Sequence, residues 1–129
     1  MTEDVLAVSN KFQLSPSTTY LALSILRRLK GQFLFETLAI LNTEDRNKLT
    51  VYMSLSMSAK YNDRVAFTIL EVATTLNFNL KTDVLLSYLT AETLRKCEFE
   101  VLQRLNFQVG EGCHPSDKQY SSVHDLIET

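Results

Sequence analysis

Apolar residues recur three and four positions apart along most of the chain, with polar residues between them. This spacing is that of one face of an amphipathic helix. It predicts helices over residues 3–12, 16–30, 44–61, 64–76, 82–89 and 91–105. The chain contains only three glycines and two prolines, which favours long helices over turn-rich β structure. We therefore expect an all-α fold.

Residue types that favour helix ends mark several boundaries. Ser15 is a good N-cap, and Pro16 stands at the first helical position, where its missing N–H costs no hydrogen bond. Gly31 favours the left-handed backbone conformation that often ends a helix. Further residues stand where they could cap the later helices: Thr43, Thr90 and either Thr82 or Asp83.

The segment 33–41 is apolar enough to pack, but it is too short for its periodicity to distinguish a helix from a strand. We interpret it as a helical connector. The following helix carries small residues between larger ones, which would let neighbouring helices approach closely, so we expect it at the centre of the bundle. Four phenylalanines are expected in the core: Phe33, Phe35, Phe67 and Phe78.

Composition indicates an ordinary globular chain, with 45% hydrophobic and 22% charged residues. Its formal charge of −2 provides no positive field for nucleic acid or an anionic membrane, so binding to nucleic acid is not expected. No run of about 18 apolar residues predicts a membrane span. The two cysteines form no disulfide framework and show no zinc-site spacing, which fits a reducing intracellular compartment, the nucleus or the cytoplasm.

Catalytic motifs are also missing from the sequence. It contains no H-E-x-x-H, no phosphate-binding G-x-x-x-x-G-K-[ST] and no G-x-S-x-G. Both histidines, His114 and His124, lie in the last 20 residues, and Cys113 beside His114 has too few companions to hold a metal. We expect no enzyme, no metal and no cofactor. Residues 110–129 are expected to form a linker and a short helix over 120–127, after a single domain over 1–109.

Three stretches of the sequence carry a family resemblance. Residues 58–63, Ser-Ala-Lys-Tyr-Asn-Asp, are similar to the Ala-Ser-Lys-Phe-Glu-Glu of many cyclins. Residues 90–107 resemble a later cyclin helix that begins at a threonine, carries an internal glutamate and is followed by a phenylalanine. Residues 11–28 match the family's entry into its second helix, with Tyr20 and the leucine after it. The chain thus resembles a cyclin box over residues 3–109.

The resemblance implies a five-helix bundle around the small-residue helix, with longer links than in cell-cycle cyclins. It also implies a non-catalytic activator that docks on the regulatory helix of a cyclin-dependent kinase. Lys60 and Glu98 match the family's paired charges, which hold main-chain groups of that helix. The apolar surface around them would comprise Met57, Tyr61, Phe99, Leu102 and Phe107.

Several positions depart from the family pattern. Arg27 stands where the family has the aspartate that braces the second helix against the first. Asp4 and Lys48 replace the tryptophan and glutamine that dock substrates, so recruitment of basic-leucine motifs is not expected. These departures indicate a diverged member. A narrower similarity, carried by the long link before Thr90, is to the cyclin N-terminal-domain-containing proteins of meiotic crossover formation.

Other interpretations of the same residues stay open at this level. Lys60 could be a solvated charge at a helix end, and Glu98 could pair with Arg95 or Lys96 on its own helix. The departures also allow a cyclin-fold scaffold or a transcription-type adaptor that activates no kinase. A third possibility is an interaction module that forms homo-oligomers through Tyr61 and Phe99.

Overall fold

The computed structural model describes residues 2–110, and its regular elements are helical throughout that range. Its elements are α1 (Thr2–Phe12), α2 (Pro16–Leu29), α3 (Thr43–Ser58), a π-helix (Ala59–Asp63), α4 (Ile69–Leu76), α5 (Thr82–Tyr88) and α6 (Ala91–Arg104). The all-α prediction is confirmed. The helix expected over 120–127 lies outside the described residues.

Helix α3 is the centre of the bundle, as its small residues predict. Eleven of its sixteen residues are buried, and it contacts α1, α2, α4 and α6. Its buried hydroxyls are satisfied within the helix: Ser58 Oγ donates to the carbonyl of Ser54 at 2.7 Å, and Ser54 Oγ to that of Thr50 at 2.9 Å. These internal bonds allow a polar residue to face the core without an unpaired group.

The predicted caps are partly correct. Ser15 and Thr90 accept hydrogen bonds from the backbone N–H groups of Thr18 and Thr93, so both are confirmed. Asn42, not Thr43, caps α3, since its side chain accepts from the N–H of Asp45 at 2.8 Å. At α5 the cap position is Lys81, which makes no side-chain cap bond, so neither Thr82 nor Asp83 has that role.

The segment 33–41 is irregular, so the helical connector was wrong. Phe35 adopts a left-handed backbone with φ of 61° and is fully buried. Its N–H donates to Glu100 Oε2 of α6 at 3.0 Å. A carboxylate distant in sequence therefore satisfies a backbone group that a helix would have used internally. Burial of four apolar side chains holds the segment on the core: Leu34, Phe35, Leu38 and Leu41.

The expected helix over 64–76 begins only at Ile69. Arg64 is left-handed, with φ of 55°, and terminates the π-helix. Thr68 then starts α4 with a capping box, in which its hydroxyl and the Glu71 carboxylate each accept a backbone N–H of the other residue. The apolar spacing before Ile69 thus belongs to an extended link, because two strong end signals outweigh periodicity.

The aromatic residues divide between core and surface. Phe35 and Phe67 are buried as expected, and Phe78 is partly buried. Phe67 stacks on Phe12, with ring centroids 5.2 Å apart. Phe33 is 74% exposed, so its assignment to the core was wrong. Within residues 2–110, no helix combines the length and hydropathy needed to cross a membrane.

Candidate protein-binding site

Lys60 and Glu98 form an ion pair between the π-helix and α6. Lys60 Nζ lies 3.1 Å from Glu98 Oε1 and 3.4 Å from Oε2. The two side chains remain 22% and 25% exposed. Glu98 therefore pairs neither with Arg95 nor with Lys96, which instead lies 3.7 Å from Glu92. In the sequence, only the family resemblance indicates that these two charges form a pair. In the structure they are in contact.

The π-helix determines where Lys60 projects. The sequence predicts that the central helix continues to Tyr61, but α3 ends at Ser58 and the backbone widens into the five-residue π-helix. At its far end, Asp63 accepts two hydrogen bonds from Ser15, from Oγ at 2.9 Å and from the backbone N–H at 3.3 Å. Insertions of this kind are frequent at functional sites. Here the π-helix is anchored to the start of α2.

An aromatic surface lies beside the charge pair. Phe99 follows Glu98 on α6 and is 53% exposed. Its ring centroid lies 5.8 Å from that of Phe107, which is partly buried in the turn after α6. Tyr61 covers Gly110, where an added Cβ would come within 2.7 Å of the tyrosine oxygen. Three segments thus contribute to one surface.

Two of the apolar residues assigned to this surface lie beneath it. Met57 is fully buried, and Leu102 is 5% exposed. Met57 faces the core from the last turn of α3, and Leu102 lies one helical turn after Glu98. Both therefore support the surface from below, and the exposed apolar area belongs mainly to Phe99.

The C-terminal end of α6 is held by a residue whose role the sequence analysis missed. Arg28 of α2 donates from Nη1 to the carbonyl of Val109 at 3.3 Å. Its Nη2 donates to the carbonyls of Leu105, at 3.2 Å, and of Gln108. These carbonyls lie beyond the last residue of α6, Arg104, where the regular helical hydrogen bonds stop, and that of Leu105 also accepts the backbone N–H of Gln108 at 3.1 Å. Arg28 therefore connects α2 to the turn that carries Phe107.

A buried tyrosine, Tyr52, lies close enough to the charge pair for the charge of Glu98 to affect its pKa. Burial raises the pKa of the Tyr52 hydroxyl. A hydrogen bond with Ser56 lowers this pKa, and the negative charge of Glu98 raises it further. Tyr52 therefore stays protonated and donates to the carbonyl of Phe67 at 3.2 Å. A hydrogen bond from a neutral hydroxyl thus joins α3 to the link before α4.

Cys97 is expected to react slowly with thiol reagents. Burial, with a smaller effect of Glu100, raises its pKa from 9.0 to about 11. Two pKa units lower the thiolate fraction about 100-fold, and the greater nucleophilicity of a more basic thiolate recovers nearly tenfold. Iodoacetamide should therefore label Cys97 at least about tenfold more slowly in the folded protein than in denaturant, measured by peptide mass spectrometry. Equal rates would contradict the buried position.

Asp63 should make stability depend on acid pH. Burial disfavours its charge, but hydrogen bonds from Thr18 and Ser15 together hold its pKa below the ordinary value of 3.8. The unfolded chain therefore takes up this proton first as pH falls. The stabilisation is complete above about pH 4 and is lost below it. Urea unfolding from pH 3 to 6 should show wild type and Asp63→Asn converging at the acid end. A constant difference would contradict this linkage.

Asp4 and Lys48 also contact each other. Lys48 Nζ lies 3.3 Å from Asp4 Oδ2, so an ion pair joins α1 to α3. Both side chains are partly exposed, at 18% for Lys48 and 24% for Asp4. This region therefore presents paired charges where the family resemblance places an apolar docking patch.

A comparison against protein families agrees with the all-helical fold. The family described as "Cyclin, N-terminal domain" matches residues 3–110. The chain belongs to the cyclin N-terminal domain family. Its domain is consequently of a regulatory, non-catalytic kind. Searches of curated proteins and of solved structures return no match.

Proposed function

We propose that this cyclin-family chain binds a cyclin-dependent kinase and shifts it to its active conformation, in cell-cycle or meiotic control. The observation that carries the proposal is the partly exposed contact between Lys60 and Glu98. Family membership supports a kinase as the partner, and the charge pair supports this position for its binding surface.

The charge pair has unused hydrogen-bonding capacity. An ammonium group carries three donor hydrogens and a carboxylate about four acceptor sites, so their two mutual contacts leave at least one donor and about two acceptor sites. A helix end offers free carbonyls or free N–H groups, which match these donors and acceptors. Because the two side chains already hold each other, little further rotamer entropy is lost on binding. Charge-assisted bonds in a partly desolvated interface are also stronger than neutral ones.

The neighbouring aromatic surface supplies apolar contact area. Exposed Phe99 packs against Phe107, so its ring is partly ordered before a partner arrives. Buried aromatic anchors next to charged groups usually provide much of the affinity of an interface. Met57 and Leu102 would hold this surface in shape from beneath, and Tyr61 would form its edge.

Activation would follow from where the kinase helix is held. In protein kinases, a lysine must pair with a glutamate of the regulatory helix before ATP is positioned correctly. A partner that binds this helix in its inward position favours that state, because it binds the inactive state less well. The chain would thus act without touching ATP or the substrate.

Reconstitution with purified kinases tests the proposal. The chain should co-purify with at least one member of a panel of cyclin-dependent kinases and raise phosphorylation of a peptide substrate by that kinase. Failure to bind any member would refute the proposal.

The Asp4 and Lys48 ion pair favours a second candidate, a cyclin-fold scaffold or adaptor that activates no kinase. It predicts binding without an increase in phosphorylation. The same assay therefore separates the two functions.

A further inference from the structure

Ser15 belongs to a dipeptide that proline-directed kinases recognise. The chain has two prolines, Pro16 and Pro115, and Pro115 follows a histidine. Ser15-Pro16 is therefore the sole Ser/Thr-Pro dipeptide of the sequence. Its neighbours Gln13, Pro16 and Ser17 are exposed, and Ser15 is partly exposed with an extended backbone, φ −65° and ψ 154°. The dipeptide thus lies at the surface, where the extended backbone of Ser15 meets the first residue of α2.

The same hydroxyl makes a contact that a phosphate would break. Ser15 Oγ donates to Asp63 Oδ1 at 2.9 Å, and the Ser15 N–H donates to Oδ2 of the same carboxylate at 3.3 Å. Ser15 Oγ also lies 3.0 Å from the Thr18 hydroxyl and accepts from the Thr18 N–H. The hydroxyl therefore caps α2 and holds the π-helix at once.

The contact lies close to the proposed kinase-binding surface. Asp63 is the last residue of the π-helix, and Lys60 is the second. Asp63 also accepts a side-chain hydrogen bond from Thr18, so its bonds to Ser15 and Thr18 both join the π-helix to the start of α2. Release of Asp63 would therefore loosen the end of the element that positions Lys60 opposite Glu98.

We propose that Ser15 is a phosphorylation site for a proline-directed Ser/Thr kinase, and that its phosphate detaches the π-helix from α2. In this reaction Ser15 Oγ attacks the γ-phosphorus of ATP and forms the new O–P bond. The bond from that phosphorus to the β,γ-bridging oxygen breaks, ADP leaves, and the hydroxyl proton passes to the kinase's catalytic aspartate. The product carries a charge of nearly −2 at neutral pH.

The phosphate affects the two contacts of Ser15 in opposite ways. It remains a favourable anion at the N-terminus of α2, where backbone N–H groups and the helix dipole attract negative charge. It no longer donates to Asp63, and it brings a second negative group to within a few ångströms of that carboxylate. The cap of α2 is thus kept, while the link to the π-helix loses its hydroxyl donor and is weakened by the repulsion between the phosphate and Asp63.

Phosphorylation of the intact chain is the first test. A purified proline-directed kinase with ATP should modify Ser15 of the folded protein, with the site identified by peptide mass spectrometry. Pro16→Ala should abolish the reaction, and a peptide covering residues 9–21 provides the accessible reference. Modification of the peptide without the protein, or of neither, would overturn the proposal.

Thermal melting of four species is the second test. Phosphorylation should lower the melting temperature of the wild type by about 5 °C, the size expected when a few hydrogen bonds are lost in a domain of this length. In Asp63→Asn the carboxylate charge is absent, so phosphorylation should lower the melting temperature by less than half as much. Equal shifts in both backgrounds would show that Asp63 does not respond to the phosphate.

The regulatory consequence rests on the proposed kinase-binding function. Stoichiometrically phosphorylated protein should bind the partner kinase about tenfold more weakly than the unmodified form. In the Asp63→Asn background, phosphorylation should cause a smaller loss of affinity. The melting test requires no partner, so it stands if the chain binds no kinase. Unchanged binding by a phosphorylated chain that does bind a kinase would refute the regulation while leaving the proposed function intact.

Discussion

Lys60→Glu is expected to lower the affinity for the partner kinase at least 100-fold. The substitution removes the ammonium donors and places a carboxylate next to Glu98, which repels it and any main-chain carbonyl of the partner. A factor of 100 corresponds to about 2.7 kcal/mol. This is within the range of about 2–5 kcal/mol for removing one partner of a hydrogen-bonded charge pair in an interface. Isothermal titration calorimetry with the purified kinase measures the loss.

A control on α6 separates this effect from a general change of charge. Lys96 is 77% exposed and, within residues 2–110, forms its ion pair with Glu92 one turn away on the same helix. Lys96→Glu makes the same change in net charge without touching the proposed surface, so affinity should change less than about threefold. Exposed pairs of this kind contribute little to stability, so the fold should also be unaffected.

Exchanging the two charges separates binding from folding. The double variant Lys60→Glu with Glu98→Lys restores an ion pair between the π-helix and α6, so its melting temperature should return towards that of the wild type. The donors and acceptors have exchanged places, however, so kinase binding should remain weak. Recovery of full affinity would show that the pair acts only by stabilising the domain. Unchanged binding by Lys60→Glu alone would place the interface elsewhere.

Local signals in the sequence predict most of the helical fold. Ser15 and Thr90 cap the helices that they precede, and the small residues of α3 correctly indicate a central helix. These features depend on residues within one or two turns, so a single sequence contains what is needed to recognise them.

The errors occur where distant residues determine the backbone. Phe35 is left-handed because its N–H binds Glu100, 65 positions later, and no local pattern shows that contact. The link after Asp63 is an exception, because two local end signals, the left-handed Arg64 and the capping box of Thr68, outweigh its apolar spacing. Apolar spacing alone records that a side chain is buried, but not which backbone conformation buries it.

In the candidate site too, contacts between residues distant in sequence could not be predicted from local patterns. Lys60 and Glu98 are 38 positions apart, and their contact could be expected from the family resemblance but not from either helix alone. A cation such as Arg28 near the C-terminal end of α2 has a sufficient local explanation in the helix dipole. In the structure, its guanidinium instead donates hydrogen bonds to carbonyls about 80 positions later, in the turn after α6.

Arg28→Met is expected to destabilise the domain by about 2–3 kcal/mol, because hydrogen bonds to a charged donor contribute about 1.5–3 kcal/mol and three carbonyls lose this donor together. Methionine keeps much of the apolar stem, so the loss is mainly polar. Arg28→Lys should recover only part of it, since a single ammonium group cannot reproduce the planar fork of the guanidinium. Urea unfolding monitored by circular dichroism measures these differences.

Arg27 provides the matched control, because it lies beside Arg28 on α2 and is exposed. Arg27→Met should change the free energy of unfolding by less than about 0.5 kcal/mol, as expected for a surface substitution. Arg28→Met should also weaken kinase binding, since it releases the turn that holds Phe107 against Phe99. Equal stability of the two variants would show that the carbonyls at the end of α6 are satisfied without Arg28, and the proposed surface would then need another support.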